Sequence, residues 1–184
     1  TPNDHFDLGK ADHVYRYRDT DGNPVGVVMR WDKTQHREKE IRPLSWIQMH
    51  NKQEPDWKWC GFAEPRPLYK GELLKQKPSA PVVIVEGEKA VEALQPLLPD
   101  HIILTWCGGT GQLGKADFSA LKDRKVTIWP DNDEPGHKAA KAICELLPKA
   151  RSVAIPKQAP DKWDAADAIA AGMQSDQIKA LLQT

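Results

Sequence analysis

From His13 to Arg18 polar and apolar residues alternate, the run Asp19-Thr-Asp-Gly-Asn-Pro24 interrupts, and the chain returns through Val25 to Trp31. A period of two puts one side of a strand on a core, and Asp-Gly between two such runs predicts a β-hairpin. Residues 41–47 and 57–59 predict two more strands, and 69–75 a short helix. Near residue 78 the pattern changes. Continuous apolar runs at Val82–Val85, 101–105, Val126–Trp129 and 152–155 replace the alternation, as expected of strands buried on both faces. Apolar positions at helical spacing predict helices at 88–98, 116–122 and 135–147. Two more follow at 164–171 and 175–182, the first ended by Gly172 and the second capped by Ser175. Repeated strand–helix units predict a parallel sheet with right-handed crossovers. The expected class is α/β: a Rossmann-like parallel sheet of about four strands flanked by helices, behind a small β-rich α+β subdomain. The joint is Lys75-Gln-Lys-Pro-Ser-Ala-Pro81, proline-bearing and aperiodic. It divides a subdomain of residues 1–77 from a domain of residues 78–184.

Composition narrows the classes. The 184 residues carry 26 Lys+Arg and 26 Asp+Glu, a formal net charge of zero, so no global field advertises nucleic acid or membrane. No window approaches ~18 consecutive apolar residues, and no basic start leads into an apolar run. Neither a membrane partner nor a signal peptide is expected. Cys60, Cys107 and Cys144 are far apart and odd in number, which argues against a disulfide framework or a cysteine zinc ribbon and fits a cytoplasmic location. The first residue is Thr, so the chain is expected to be a piece of a longer protein. Four of the seven tryptophans, Trp31, Trp46, Trp57 and Trp59, fall before the joint. They are read as filling a small core, in preference to a stacking platform for bases.

Ligands of open parallel sheets sit outside the carboxyl ends of the strands. There the sequence places Glu86-Gly-Glu-Lys89, Cys107-Gly-Gly-Thr-Gly111 and Pro130-Asp-Asn-Asp-Glu-Pro-Gly136, with Asp161-Lys-Trp-Asp-Ala-Ala-Asp167 after the fourth strand. Glu86, Asp131 and Asp133 would share one rim. Carboxylates gathered and ionised together require a cation, and an oxygen-only set selects Mg²⁺ or Mn²⁺ over zinc. Such a centre implies phosphoryl transfer. Acids after strands also cap helices, and Asp133 before Glu134-Pro135 has that form.

Val82-Val-Ile-Val-Glu-Gly-Glu-Lys89 followed by Val126-Thr-Ile-Trp-Pro-Asp-Asn-Asp-Glu-Pro-Gly136 resembles the TOPRIM fold of bacterial-type primases, topoisomerases and small nucleases. Three preceding segments add to the likeness: Tyr17-Arg-Asp-Thr-Asp-Gly22, Trp57-Lys-Trp-Cys-Gly61, and Pro67-Leu-Tyr69 with Leu73-Leu74. Their order is similar to the primase regions of phage and plasmid replication proteins of the primase-helicase type. The resemblance runs from about residue 13 to Asp167. It implies Glu86 as metal ligand or general base, and Asp131 and Asp133 as metal-binding aspartates. Asp164 could support a second metal, with helix capping as its other reading. It further implies a nucleotidyltransferase, a DNA primase core that joins ribonucleoside triphosphates on single-stranded DNA with Mg²⁺ or Mn²⁺, partnered by a replicative helicase. No Cys/His set for the usual upstream zinc module is present in the sequence.

Gly109-Thr-Gly-Gln-Leu-Gly-Lys115 follows a strand and matches a P-loop up to its lysine, but Ala116 stands where Ser or Thr should ligate Mg²⁺. An ATPase is not expected. Lys89, Gly108, Gly109, Gly111 and Lys138 are candidates for nucleotide phosphates, with backbone N–H groups of the glycine turn facing an anion. Arg16, Arg18, Arg30, Arg42 and Lys58 are candidates for template phosphates, although Asp12, Asp19, Glu38 and Glu40 interleave with basic residues along the chain. Two rivals stand beside the primase: a TOPRIM nuclease with the same metals, and a recruitment module that keeps the fold without chemistry.

Overall fold

The structure, a computed structural model, describes residues 2–48 and 53–184. A short hairpin of β1 (Asp4–His5) and β2 (Gly9–Lys10) opens the chain. Next comes an antiparallel meander: β3 (His13–Arg18), β4 (Pro24–Trp31), β5 (Glu40–Ile47) and β6 (Asp56–Lys58), paired in that order. The predicted Asp-Gly hairpin is present. Asp19 accepts hydrogen bonds from the backbone N–H groups of Asp21 and Asn23, both at 2.9 Å, which closes the turn.

Beyond the short helix α1 (Leu73–Gln76) lies the parallel sheet. It contains β7 (Val82–Val85), β8 (Ile102–Leu104), β9 (Val126–Trp129) and β10 (Ala150–Ser152), in the order β10-β9-β7-β8. Helix α2 (Glu88–Leu94) joins β7 to β8, and α3 (Glu134–Leu146) joins β9 to β10. Helices α4 (Ala165–Ala170) and α5 (Ser175–Leu181) close the chain. Alternate strand residues feed the two faces. Val83, Val85, Ile103 and Trp129 pack with α2, α4 and α5, whereas Val82, Ile84, Leu104 and Ile128 pack with α3. Because β8 and β9 flank β7 on opposite sides, the chain reverses its winding between β7 and β9. A crevice opens at the carboxyl ends where winding reverses, and the pairing of Val85 with Trp129 places Glu86 and Asp131 on its two banks.

The two sheets share a core. Tyr15, Tyr17, Val28, Phe62 and Tyr69 belong to the same buried cluster as Val83, Val91 and Trp129. The other face of the meander closes over its own cluster of Val27, Met29, Trp31 and Leu44. Trp31 is fully buried, as a core filler should be, and Trp46 and Trp57 lie against each other with centroids 5.0 Å apart. At the joint, the Arg124 guanidinium donates to the carbonyls of Leu74, Lys77 and Ala80. The aperiodic segment is therefore anchored to the parallel sheet.

Four expected elements differ. The helix expected at 69–75 is only Leu73–Gln76, because the Tyr69 backbone N–H bonds the Thr105 carbonyl beside β8. The helix expected at 116–122 is replaced by two 3-10 turns, Thr110–Lys115 and Ser119–Leu121. The last strand is Ala150–Ser152, earlier than 152–155, since register with Val126–Ile128 is set by pairing rather than by apolar character. Ser175 is not the cap of α5: its hydroxyl donates to the Leu97 carbonyl, while the backbone N–H of Gln174 is held by Gln177 Oε1 at 2.8 Å. The β1–β2 hairpin was not legible, as two-residue strands carry no periodicity. No helix among the described residues is long and apolar enough to cross a membrane.

Candidate active site

After β7 the chain turns sharply. Gly87 has φ 77°, a left-handed value that a side chain would strain, and its backbone N–H donates to Thr105 Oγ1 at 3.0 Å. Thr105 is wholly buried, so β8 holds the turn that presents Glu86. After β9, Asp133 caps α3, with Oδ1 accepting from the Gly136 backbone N–H at 2.7 Å. Gly136 is required by space. A Cβ there would lie 2.4 Å from the Asp131 carbonyl oxygen and 2.9 Å from Glu86 Oε1. The Pro-Gly of this turn thus brings both acidic segments against one helix end.

Asp164 arrives through Asn132. The Asn132 side chain donates to the carbonyls of Ala159 and Pro160, and its backbone exchanges hydrogen bonds with Trp163 and Lys162. Trp163 packs on Trp129 with centroids 5.5 Å apart. Asp164 then caps α4, Oδ1 accepting from the Asp167 backbone N–H at 2.7 Å. Asn132, missed in the sequence, could have been flagged as the one uncharged residue between two candidate aspartates.

The carboxylates share one electrostatic environment. Burial, then the nearby Asp133 charge, pushes Glu86 up to about 7, and a backbone hydrogen bond at Asp131 works against that rise. Burial, then Glu86, Asp164 and Asp133, pushes Asp131 up to about 8. Glu86 Oε1 is buried with no hydrogen-bond partner among the described residues. Among the described residues no three acidic, His or Cys side chains stand close enough to enclose an ion as placed. The donor chemistry nevertheless fits a hard divalent cation: a partnerless oxygen on Glu86, a neighbour in Asp131, and one oxygen of Asp133 not spent on its cap.

A cavity of about 610 Å³ lies at these acids, with further lining from the meander and the glycine loop, though Asp133 does not line it. Glu86, Asp131 and Asp164 line it, together with the cations Arg30, Lys39, Arg66 and Lys89 and the glycines Gly108 and Gly109. The loop is held by Trp106, whose indole N–H donates to the Gly109 carbonyl at 2.7 Å. Arg66 was missed in the sequence. Its backbone is pinned by Lys115 and Asp117, its Nη1 reaches Gln112 Oε1 at 3.3 Å, and its Nε is buried without a partner. The nearest sequence signal was its place in the Pro-Arg-Pro-Leu-Tyr lead-in.

Other candidates are placed elsewhere. Lys138 lies on the exposed side of α3, 2.6 Å from Glu134, and Gly111 is exposed in the 3-10 turn; neither lines the cavity. The five template candidates do not form one track. Cross-strand pairing puts Arg30 on the face of Tyr15 and Val28, and Arg16 and Arg42 on the opposite face with Val27 and Met29. Arg30 is held by Asp32 at 2.7 Å, Arg42 pairs with Glu40, and Arg18 donates to the Gly22 carbonyl. Lys58 is exposed on β6.

Comparison with solved structures finds the primase fragment of the bacteriophage T7 primase-helicase protein, with TM-score 0.58 and 20% identity over 91% of this chain and 60% of that one. It also finds the E. coli primase catalytic core, with TM-score 0.58 and 17% identity over 92% of this chain and 51% of that one. A DnaG primase catalytic domain bound to ssDNA matches with TM-score 0.56 and 18% identity, over 92% of this chain and 51% of that one. The fold is therefore that of TOPRIM primase cores, and the chain spans between half and three-fifths of the length of these neighbours. No curated protein matches the sequence. A family model described as "Domain of unknown function (DUF6371)" matches residues 4–132.

Proposed function

The chain belongs to the DUF6371 family, and from that premise we propose that it is the catalytic core of a DNA primase, a metal-dependent nucleotidyltransferase that synthesises RNA primers on single-stranded DNA. The observation that carries this reading is the cavity at the point of reversed winding. It sets Glu86, Asp131 and Asp164 against Arg30, Arg66 and Lys89. Acids and cations lining one cavity suit a substrate that is both metal-bound and phosphorylated. The fold shared with the T7 fragment and the ssDNA-bound core supports a single-stranded template and a helicase partner.

In the reaction the primer 3′-hydroxyl attacks the α-phosphate of a ribonucleoside triphosphate and pyrophosphate leaves. A divalent cation held by Glu86, Asp131 and Asp133, with Asp164 beside them, would supply positive charge for the phosphate oxygens. Arg66 and Lys89 grip the leaving phosphates; Arg66 offers a guanidinium whose Nε lacks any other partner. Gly108 and Gly109 let the backbone approach the same phosphates. Where Glu86 serves instead as the general base, its carboxylate would take the hydroxyl proton as the new bond forms.

A primer-synthesis assay with labelled ribonucleotides, single-stranded DNA and Mg²⁺ or Mn²⁺ tests this directly. Dinucleotide and longer products are expected from the wild type and none from Glu86→Gln. Product that survives the substitution removes Glu86 from the mechanism. DNA cleavage scored in the same tubes, with no primer formed, would assign the nuclease reaction instead. Variants also separate the rival reading, a recruitment module without chemistry. It predicts helicase binding undiminished when Asp131→Ala is combined with Asp133→Ala.

A further inference from the structure

A second cavity, of about 320 Å³, opens at the amino ends of the parallel strands. Four-residue strands rising ~3.3 Å per residue place it roughly 13 Å from the carboxylate rim, on the opposite edge of the sheet. It is lined by Lys125 before β9, Lys149 and Arg151 at β10, Lys179 of α5 and His101 before β8. Among the described residues no Asp or Glu lines it. In a chain with 26 basic and 26 acidic residues, that one-sided wall is not an average sample of the surface.

The cations are only partly answered. Lys149 pairs with Asp123 at 2.9 Å, and Arg151 donates to the Leu182 carbonyl. Lys125 and Lys179 have no ion-pair partner among the described residues. His101 Nδ1 is buried without a hydrogen-bond partner. Burial pushes the His101 imidazolium down, the Asp100 charge opposes this, and Lys179 adds to it. Like charges around one cavity repel, and the apolar floor of Val83, Val126 and Leu182 focuses their field.

We propose that this cavity is a second binding site, separate from the carboxylate rim, for a small compound carrying two or more linked phosphates. Lysine heads arriving from different elements suit several phosphate oxygens at once. The volume lies in the range of small-ligand pockets. The carboxyl end of α5 forms one wall through Leu182 and Gln183. Such a hollow favours a compact ligand over a strand, which needs an open groove past its phosphates. The inference is independent of the primase reading.

Calorimetric titration of the whole chain with inorganic pyrophosphate, without divalent cations, tests it. The variants are Lys125→Glu with Lys179→Glu, the milder Lys125→Gln with Lys179→Gln, and Arg66→Ala in the first cavity. Saturable binding is expected in the wild type. About tenfold or greater weakening is expected in the glutamate pair and a smaller loss in the glutamine pair, whereas Arg66→Ala, which removes only pyrophosphate held in the first cavity, leaves a saturable event that still depends on Lys125 and Lys179. Both lysines are exposed, so the variants should retain the wild-type thermal transition. Absence of binding, or binding that falls with Arg66→Ala and ignores both lysine pairs, overturns the proposal. A parallel titration with oligothymidylate separates the sources of phosphate. If only the oligonucleotide binds, and binding depends on Lys125 and Lys179, the small-ligand site is overturned in favour of a nucleic-acid contact.

Discussion

Burial is the first cause that raises both Glu86 and Asp131; the Asp133 charge adds to the rise at Glu86, and the Glu86 charge to the rise at Asp131. Their carboxyls stand near 7 and 8 in the folded chain against ordinary values of 4.5 and 3.8. For an acid raised by folding, the native state holds its proton after the unfolded state has lost it. Stability is therefore full below the ordinary value and declines as pH rises through the folded one. The metal-free protein is expected to melt at lower temperature at pH 8 than at pH 5. Mn²⁺ is expected to raise the melting temperature at pH 8 in the wild type, but not in Asp131→Asn combined with Glu86→Gln, which should also lose the pH dependence. Differential scanning calorimetry reads both, and a flat profile without metal would contradict the raised values. The acidic motifs were legible residue by residue, since Glu-Gly and Asp-x-Asp after strands are local patterns. Arg66 was not, because its Nε is orphaned only once the glycine loop folds over it.

Elements position these residues through two small devices. Gly136 admits the Asp131 carbonyl and Glu86 Oε1 against the start of α3. Gly136→Ala should force a shift costing about 1–3 kcal/mol and displace both acids together. Its urea midpoint should fall and primer synthesis should drop with it. Asn132 grips the 159–163 segment through side-chain bonds to two carbonyls. Asn132→Ala should cost about 1–3 kcal/mol and speed amide exchange selectively in residues 159–164. Uniform acceleration across the sheet would argue against so local a role. Strand and helix periods were readable where an element spans several residues. The 3-10 turns at 110–121 were not, because short i to i+3 turns leave no apolar period.

Across the whole molecule, two tyrosines, one on the meander and one on the segment that follows it, hydrogen-bond acids of α2. The Tyr17 hydroxyl donates to Glu88 Oε1 at 2.7 Å in the shared core, and Tyr69 donates to Glu92 at 2.5 Å. Burial raises the Glu88 carboxyl, and the bond from Tyr17 opposes that rise. Tyr17→Phe leaves a buried acid unanswered and should cost about 1–3 kcal/mol. A double-mutant cycle with Glu88→Gln should show coupling of about 0.5–3 kcal/mol, and strict additivity would mean the two sheets are joined by apolar packing alone. The amino-acid sequence by itself determined the order of elements, the alternation of the meander, the continuous burial of the parallel strands and the acidic turns that follow them. All are local periodicities or short turn chemistries. Only the tertiary structure decided the strand order that sets Glu86 beside Asp131, the faces that separate Arg30 from Arg16 and Arg42, and the basic cavity at the far edge. Each depends on pairing and packing between distant segments, which no local pattern encodes.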